Sequence, residues 1–562
     1  MKPLPWRAAA VVLCACGVYL GTLGHRLVWD DRVLLDTIKH SGFLSLLSGE
    51  FLHPGSGYYR PLVLTSLALD NQAARFFPAS FHLTNVVLHG ANSLLAYLLL
   101  EALISPVAAT WGALLFALHP VSSEAVSFVS GRTDLWSAFF VFSLALAWVR
   151  GSTRDNGSGW RRGIGYAALF VLGAFAKETT FMLPAVLLAW DLFFIPGDTT
   201  TRPAWWRRNR LWLAVYATGF SVAFGLRFVA GAGFGKGLAH VGVDNFSGAV
   251  KHLASIPSLI ATYARLLLVP WPLTASYADD MVQLTGSTLA AAVLLLAIAV
   301  VTAGKRSRRI GLLGLSWIVG FLLPVVGFVQ FGGTIIAERY LYLPSFGLCA
   351  LFGCGVARLS EGPRGRWAAP AAAGAVLAVC AVLAALQSAV WRNEITLFEN
   401  AVKVSPRSLV ARKNLSKAYR EAGRLAESYR VYGDVLCEIR MYTQAIATYR
   451  LMIAAEGRET AESQRRLGRA FFGAAQYEEA VVCLRKALQS EPGDVTSWYY
   501  LGLAYPHLGN VAAARAALEE AVRLDGNDGE ARQELDRLLA NSDRAAPQPP
   551  AEPARRFTAP KP

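Results

Sequence analysis

The chain has little charge and little cysteine for its length. Only 17% of its 562 residues are charged, whereas 54% are hydrophobic and the mean hydropathy is +0.37. A soluble domain needs a more polar surface, so this composition excludes a single soluble globular domain and favours a polytopic membrane protein. The seven cysteines show neither a zinc-ligand spacing nor a disulfide framework.

Long hydrophobic runs recur between residues 8 and 387 and then stop, which divides the chain into a membrane part and a soluble part. A membrane-spanning helix needs about 20 apolar residues. Runs near this length occur at 8–24, 82–104, 211–229, 287–303, 310–329, 340–357 and 368–387. Shorter runs, typical of broken or tilted helices around a cavity, occur at 106–119, 134–149, 163–176 and 180–195. We therefore predict an all-α fold with a polytopic helix bundle at residues 1–392.

Basic residues of the membrane part concentrate in five short segments, which contain 17 Lys and Arg against three acidic residues. The segments are 2–7, 150–162, 196–210, 304–309 and 358–367. Cytoplasmic loops carry such an excess, so the net charge of +15 indicates orientation rather than a nucleic-acid partner.

An even number of crossings must join these loops. This parity predicts a helical hairpin that bends at Lys177 and Glu178, and a re-entrant or interfacial segment at 253–269. The count becomes about 11 crossings, with the soluble part outside the cytoplasm. A cleaved signal peptide at residues 8–24 is an alternative that leaves the topology unchanged.

Four polar clusters then fall on the outer face. They are Asp30 with Asp31; His119, Glu124, Arg132 and Asp134; Lys177 with Glu178; and Glu338, Arg339 and Tyr340. A charge at bilayer depth costs about 2.5 to 3.5 kcal/mol, so such groups usually face a cavity or a partner. We predict that the four clusters form one site.

Carboxylates and cations together suit the transfer of a sugar from a polyprenyl phosphate. Cations stabilise the departing phosphate, and a carboxylate takes the proton of the acceptor hydroxyl. The candidate phosphate-binding residues are Arg132, Lys177 and Arg339. The candidate base is Asp31 or Asp30.

Other interpretations remain open for each residue. Arg and Lys at helix ends often reach to lipid headgroups without any catalytic role. Asp30 and Asp31 are also suited to capping a helix that begins near Val33. An Asp pair can bind a divalent cation, but no further ligands are identifiable, so no metal site is assigned. His119 on an apolar run is more typical of a hydrogen-bonded core histidine than of a metal ligand.

Several strings in the membrane part form an ordered set. They are VWDD (28–31), YRPL (59–62), FHLTNVVLH (81–89), LLFALHPVSSEAVSFVSGRTDL (114–135), AKE (176–178) and ERYLYLP (338–344). This set, followed by helical repeats, resembles the transmembrane and tetratricopeptide-repeat containing O-mannosyltransferase family.

The resemblance implies a GT-C type fold and a polyprenyl-linked sugar donor, with mannose as a candidate sugar. It also implies a base in the first outer loop, at Asp31 or Asp30. The supporting residues that it adds to the clusters are Tyr59 and Arg60, beside His119, Glu124, Asp134, Glu178 and Glu338.

Residues 393–541 show self-similarity at a spacing of 34 residues, for example from Ala480 to Ala514. We predict a solenoid of three to four tetratricopeptide repeats, followed by a disordered Pro-rich tail at 542–562. The groove of the repeats suits a protein acceptor or partner, and the alternative is that the repeats only pack on the enzyme or dimerise.

The predicted function is a membrane transferase that glycosylates Ser and Thr hydroxyls of proteins outside the cytoplasm. Arginine supplies 43 of the 54 basic residues, which is typical of GC-rich bacterial genomes. We therefore expect a bacterial inner-membrane protein with periplasmic repeats, or lumenal repeats in a eukaryote. Two rivals remain: a GT-C enzyme with a glycan or lipid acceptor, and a non-enzymatic membrane scaffold.

Overall fold

A computed structural model describes residues 6–40, 59–75, 77–152, 159–194, 202–229, 246–277, 305–328, 336–525 and 529–545. Every regular element in these ranges is a helix, and no strand occurs among them. The predicted all-α fold is confirmed for this part of the chain. The chain divides into two compact units, Met1–Ala411 and Arg412–Pro562.

The first unit contains the apolar helices and the short helices between them. Its α-helices are α1 Trp6–Tyr19, α2 Asp30–His40, α3 Pro61–Ala74, α4 Pro78–Leu103, α5 Pro106–Leu118, α6 Ser122–Ser127, α7 Arg132–Ser152, α8 Gly159–Ala176, α9 Leu183–Phe194, α10 Arg202–Val229, α11 Phe246–Leu268, α12 Lys305–Leu323, α13 Ser345–Leu359, α14 Gly365–Val390 and α15 Glu394–Val404. Short 3-10 segments are Leu20–Gly24, Val129–Gly131, Glu178–Met182 and Glu338–Leu341, and Pro324–Phe328 is a π-helical turn.

Four helices are long and apolar enough to cross a membrane: Trp6–Gly24, Pro78–Leu103, Arg308–Val326 and Gly365–Val390. Shorter apolar helices are Pro106–Leu118, Arg162–Ala176, Glu178–Trp190, Tyr216–Leu226, Ser255–Leu268 and Ser345–Leu359. This series is that of an integral membrane protein. The predicted crossing at 287–303 lies outside the described residues, so the count of 11 stays a prediction.

Two local predictions can be compared with the helices. The chain leaves the helical conformation at Lys177, between α8 and the 3-10 segment that precedes α9, so the predicted break is confirmed. The short apolar run 134–149, predicted to belong to a broken or tilted helix, lies within the 21-residue helix α7, whose first turn also contains Arg132 and Asp134.

Aromatic side chains fill the centre of the helix bundle. Trp317 is fully buried, stacks on Phe142 at 5.8 Å between ring centroids, and lies 5.2 Å from Trp190. Its indole N–H donates to the carbonyl oxygen of Leu343 at 2.7 Å, so the polar atom of this large ring is satisfied in the core.

Helices α5 and α13 approach each other through small residues. A Cβ on Gly353 of α13 would lie 2.1 Å from the carbonyl oxygen of Ala108, and a Cβ on Gly112 of α5 would lie 2.6 Å from that of Cys349. Only glycine permits this backbone contact, which is the usual device for close packing of helices within a membrane.

The second unit is a series of antiparallel helix pairs. Its helices are α16 Leu409–Glu421, which begins in the first unit, α17 Leu425–Glu438, α18 Tyr442–Glu456, α19 Ala461–Gly473, α20 Tyr477–Ser490, α21 Val495–Ala504, α22 Val511–Leu524 and α23 Gly529–Ala545. Ala480 and Ala514, the residues that carry the 34-residue spacing, are both fully buried.

The limits of this unit differ from the predicted ones in two places. Helix α15 lies in the first unit, although the repeats were predicted to begin at residue 393. Helix α23 reaches Ala545 and so includes the first residues assigned to the tail. The remainder of the predicted tail lies outside the described residues.

Candidate functional site

The two aspartates in the first turn of α2 differ in their surroundings. Asp31 is fully buried and accepts three hydrogen bonds: from the Ser130 backbone N at 2.8 Å, the Ser130 hydroxyl at 2.7 Å and the Val28 backbone N at 3.2 Å. Burial raises the pKa of Asp31 to about 7, against these hydrogen bonds, which lower it. Asp31 thus ties the loop to residue 130, a role that resembles capping.

Asp30 is the first residue of α2 and is partly exposed. The residue before it, Trp29, has a positive φ of 53°, which turns the chain sharply into the helix. The charge of Asp30 helps to raise the pKa of Arg339.

Arg339 and Glu124 form the most direct pair of the site. Nη1 of Arg339 lies 2.5 Å from Oε1 of Glu124, and the Arg339 backbone N donates to Oε2 at 2.9 Å. Although burial lowers it, the pKa of Arg339 is held above its usual value by Glu124, and further by Asp134 and Asp30. The Arg339 side chain is 19% exposed, whereas that of Glu124 is 1% exposed.

Lys177 is bound to Asp134, with 2.5 Å between Nζ and Oδ1. Its Nζ also lies 4.8 Å from the ring centre of Tyr340, and the Arg339 guanidinium lies 5.4 Å from the same ring. Burial lowers the pKa of Lys177, and the positive charges of Arg60 and Arg339 lower it further. These contacts bring three of the four predicted clusters together around Tyr340.

Arg60 and Glu178 extend this group. Their side chains form an ion pair at 2.8 Å, and both are largely buried. Tyr59, the neighbour of Arg60, packs its ring edge-on against Phe175 at 5.9 Å. The two residues that the family resemblance added therefore lie beside the hairpin break at Lys177.

Arg132 lies fully buried at the start of α7. Its guanidinium donates to the Asn85 side chain at 2.9 Å, the Phe81 carbonyl at 2.7 Å and the Ser66 hydroxyl at 3.1 Å, and pairs with Asp70 at 2.6 Å. These four contacts of the Arg132 guanidinium join α3, α4 and α7.

Glu338 and His119 are both held within the protein. Oε1 of Glu338 accepts from the Thr274 backbone N at 2.5 Å and from the Tyr277 hydroxyl at 2.8 Å. Burial and the nearby Glu124 raise the pKa of Glu338 well above its usual range.

In His119, Nδ1 accepts from the Val121 backbone N at 3.3 Å, so Nε2 carries the hydrogen and donates to the Leu267 carbonyl at 3.0 Å. His119 is a hydrogen-bonded core histidine, as one interpretation of the sequence has it.

Sequence reasoning missed several partners of these residues: Ser66, Asp70, Asn85, Ser130, Thr274 and Tyr277. Three of them gave a signal: Asn85 and Ser130 lie within the ordered strings, and Asp70 is a charge near the end of an otherwise apolar helix. Within the described ranges, no group of three or more His, Cys, Asp or Glu side chains is placed to hold a metal ion.

The comparisons with known proteins agree with the predicted repeats and with the family resemblance. A tetratricopeptide repeat family model matches residues 465–529. Protein O-mannosyl-transferase TMTC4 of Homo sapiens is 27% identical over 461 residues, which are 74% of this chain and 60% of that protein. Protein O-mannosyl-transferase TMTC2 of Mus musculus is 25% identical over 528 residues, covering 76% of this chain and 62% of that protein.

Among solved structures, the chain resembles the oligosaccharyltransferase of Archaeoglobus fulgidus in the apo form. The identity is 13% and the TM-score 0.41, over 68% of this chain and 55% of that one. The chain spans about three fifths of the length of the curated relatives named above. The family resemblance seen in the sequence is confirmed, because the homologues of the chain include protein O-mannosyl-transferases.

Proposed function

We propose that the chain is a GT-C type membrane glycosyltransferase that moves a sugar, with mannose as the first candidate, from a polyprenyl phosphate to Ser or Thr hydroxyls of proteins outside the cytoplasm. Homology to protein O-mannosyl-transferases supports a transfer to protein. The observation that carries the proposal is the pair of cations Arg339 and Lys177, which lie against the same Tyr340 ring, 5.4 Å and 4.8 Å from its centre.

In this proposal Asp30 is the base. It is partly exposed, whereas Asp31 is fully buried and engaged by Ser130 and Val28. A base must reach the acceptor hydroxyl within hydrogen-bond distance, so access favours Asp30. Asp31 then acts by holding the loop that presents Asp30.

Arg339 and Lys177 bind the phosphate of the donor. Arg339 is more exposed than Lys177, whose side chain is 3% exposed, so Arg339 makes the direct contact and Lys177 adds charge behind it. A partly desolvated cation stabilises a departing phosphate more strongly than one in water does. Arg132 has its donors engaged between helices, and we assign it a structural role.

The reaction is a single displacement with inversion. Asp30 accepts the hydroxyl proton while the hydroxyl oxygen bonds to the anomeric carbon of the sugar. The bond between that carbon and the phosphate oxygen breaks, and the phosphate departs with the electron pair toward Arg339. The products are the glycosylated protein, the polyprenyl phosphate and a protonated Asp30, which returns its proton to solvent.

The repeats complete the proposal on the outer side of the membrane, where they hold the protein acceptor. Grooves of stacked helix pairs bind extended peptides in many repeat proteins. A requirement for the repeats with a protein acceptor supports this role, whereas equal transfer without them favours a glycan or lipid acceptor.

The test is a transfer assay with the full chain in liposomes, with labelled mannosyl polyprenyl phosphate and a Ser/Thr-rich peptide. We expect transfer by the wild type and a loss of about 100-fold or more for Asp30→Asn. Asp36→Asn is the matched control, because Asp36 is exposed on the same helix α2. Full activity of Asp30→Asn rules out the assigned base, and absence of transfer by the wild type to any hydroxyl acceptor rules out the enzyme and leaves the scaffold.

A further inference from the structure

The chain segment that follows the last apolar helix of the first unit packs against the loop of the candidate base. This segment, residues 391–408, contains α15 and belongs to the same compact unit as the candidate site. It was predicted from sequence to be the start of the repeats. Its contacts indicate a second role.

Glu394, in the first turn of α15, reaches the loop directly. Its Oε1 accepts a hydrogen bond from the Trp29 backbone N at 3.3 Å and lies 3.5 Å from Nε of Arg32. A third contact joins backbone to backbone, since the Arg26 N donates to the Arg392 carbonyl at 3.0 Å. Contacts therefore hold the loop on both sides of Asp30.

The side chain of Trp29 is held by contacts with other aromatic rings. It stacks on Phe128 at 6.0 Å and meets Phe398 of α15 edge-on at 5.8 Å, while Phe128 lies 5.1 Å from Trp391. Trp29 has a φ of 53°, a backbone conformation that residues other than glycine rarely adopt. The contacts around Trp29 must therefore hold this conformation. Residue 30 follows directly, and its direction depends on this turn.

The same segment also braces the loop that holds Glu338. The Asn400 side chain donates to the Leu273 carbonyl at 3.1 Å, and the hydroxyls of Ser408 and Ser276 lie 2.8 Å apart. Between these two points lies Thr274, whose backbone N donates to Glu338. One segment thus supports two loops, one at Asp30 and one beside Arg339.

We infer that Glu394 is a positioning residue for catalysis: it fixes the Trp29 turn and thereby aims Asp30 at the acceptor hydroxyl. The inference rests on the proposed function, because it names a residue that acts through the assigned base. Its chemistry is simple. The carboxylate accepts the backbone N–H of Trp29, which precedes the first turn of α2, and pairs with Arg32.

The test compares Glu394→Ala and Glu394→Gln in the full chain, with Glu399→Ala as the control, because Glu399 is exposed on the same helix. Glutamine keeps an oxygen that accepts from Trp29, so it should retain most of the positioning. We expect Glu394→Ala to lower kcat by about tenfold or more with little change in KM for the donor, since a small misplacement of a reacting group costs rate. Glu394→Gln should stay within about threefold of the wild type, and Glu399→Ala should match it.

A second readout does not depend on activity. Hydrogen–deuterium exchange of residues 26–32 should rise in Glu394→Ala and stay near the wild-type level in Glu394→Gln. If Glu394→Ala does not fold, Glu394→Asp takes its place, with an intermediate loss of kcat expected from the shorter side chain.

The outcomes separate the inference from the proposed function. An unchanged kcat in Glu394→Ala, with an active wild type, overturns the inference and leaves the function standing. A wild type without transferase activity overturns the proposed function. In that case hydrogen–deuterium exchange of residues 26–32 alone decides whether Glu394 holds the loop. Exchange in Glu394→Ala equal to that of the wild type would show that it does not.

Discussion

Arg339 and Glu124 are joined at two points although they lie 215 residues apart in the chain. The guanidinium Nη1 of Arg339 is 2.5 Å from Oε1 of Glu124, and the backbone N of Arg339 donates to Oε2 at 2.9 Å. Glu124 therefore fixes both the backbone and the side chain of Arg339. Part of the Arg339 side chain stays accessible, since it is 19% exposed.

This relationship predicts effects of both residues on stability and of Arg339 on donor binding. Arg339→Ala should lower kcat/KM by about 100-fold or more, because it removes a phosphate contact made in the transition state. It should also destabilise the protein by about 3 to 5 kcal/mol, because it leaves the buried carboxylate of Glu124 without its cation. Glu124→Ala should also destabilise the protein by about 3 to 5 kcal/mol, because it leaves a largely desolvated cation without its carboxylate. Transfer kinetics and thermal unfolding of the purified protein measure the two effects.

The double variant Arg339→Ala/Glu124→Ala is the control for this pair. With both charges removed, most of the stability lost in Glu124→Ala should return, as a double-mutant cycle would show. Equal activity of Arg339→Ala and wild type would exclude Arg339 from phosphate binding.

Asp31 predicts a pH dependence of stability. Burial raises its pKa from 3.8 to about 7, so between these values the native protein holds a proton that the unfolded chain has released. Raising the pH through this window therefore lowers the free energy of unfolding, by at most about 1.4 kcal/mol per pH unit. Asp31→Asn cannot ionise, and its melting temperature should fall less than that of the wild type between pH 5 and about 7.

Asp36→Asn is the matched control, because Asp36 is exposed on the same helix. It should follow the wild type across the whole range. Parallel curves for wild type and Asp31→Asn would show that Asp31 is already ionised in the native protein, held so by its three hydrogen bonds.

The helical composition and the grouping of three of the four polar clusters were predictable from sequence for physical reasons. Apolar run lengths mark the helices, and the count of basic loops predicts that Lys177 and Arg339 lie on one side of the membrane. Their shared contact with Tyr340 agrees with that placement.

The division of roles within the clusters was not predictable. Asp30 and Asp31 are adjacent and chemically equal, and only the three donors around Asp31 distinguish them. The partners of Arg132 come from residues 47 to 66 positions away in the chain, and no local pattern marks them. The sequence identifies the charged residues of such a site, whereas tertiary contacts decide which of these residues already have hydrogen-bond or ion-pair partners within the protein.

Arg132 offers a direct test of that distinction. Arg132→Ala should destabilise the protein by about 3 to 5 kcal/mol, because it leaves Asp70 without its buried cation and Asn85 without its donor. Arg132→Lys should rescue little, since an ammonium group lacks the planar fork that reaches several acceptors at once. Thermal unfolding measures both variants.

Donor binding provides the opposing outcome for Arg132. The folded fraction of Arg132→Lys should bind a mannosyl polyprenyl phosphate with an unchanged Kd. If Arg132→Lys is as stable as the wild type but binds the donor more weakly, Arg132 contacts the phosphate of the donor.

The contact between α5 and α13 predicts a stability difference between two glycines of one helix. A methyl group on Gly353 would lie 2.1 Å from the Ala108 carbonyl oxygen and 2.9 Å from the Gly112 backbone N, so Gly353→Ala must push two backbones apart. A Cβ on Gly355 meets nothing within 4 Å. We expect Gly353→Ala to cost about 1 to 3 kcal/mol, as overpacking in a close-packed core does. Gly355→Ala should be neutral or stabilising by up to about 1 kcal/mol, because alanine favours the helix. Thermal unfolding in one detergent measures both, and equal melting temperatures for the two variants would show that α5 and α13 do not make this backbone contact.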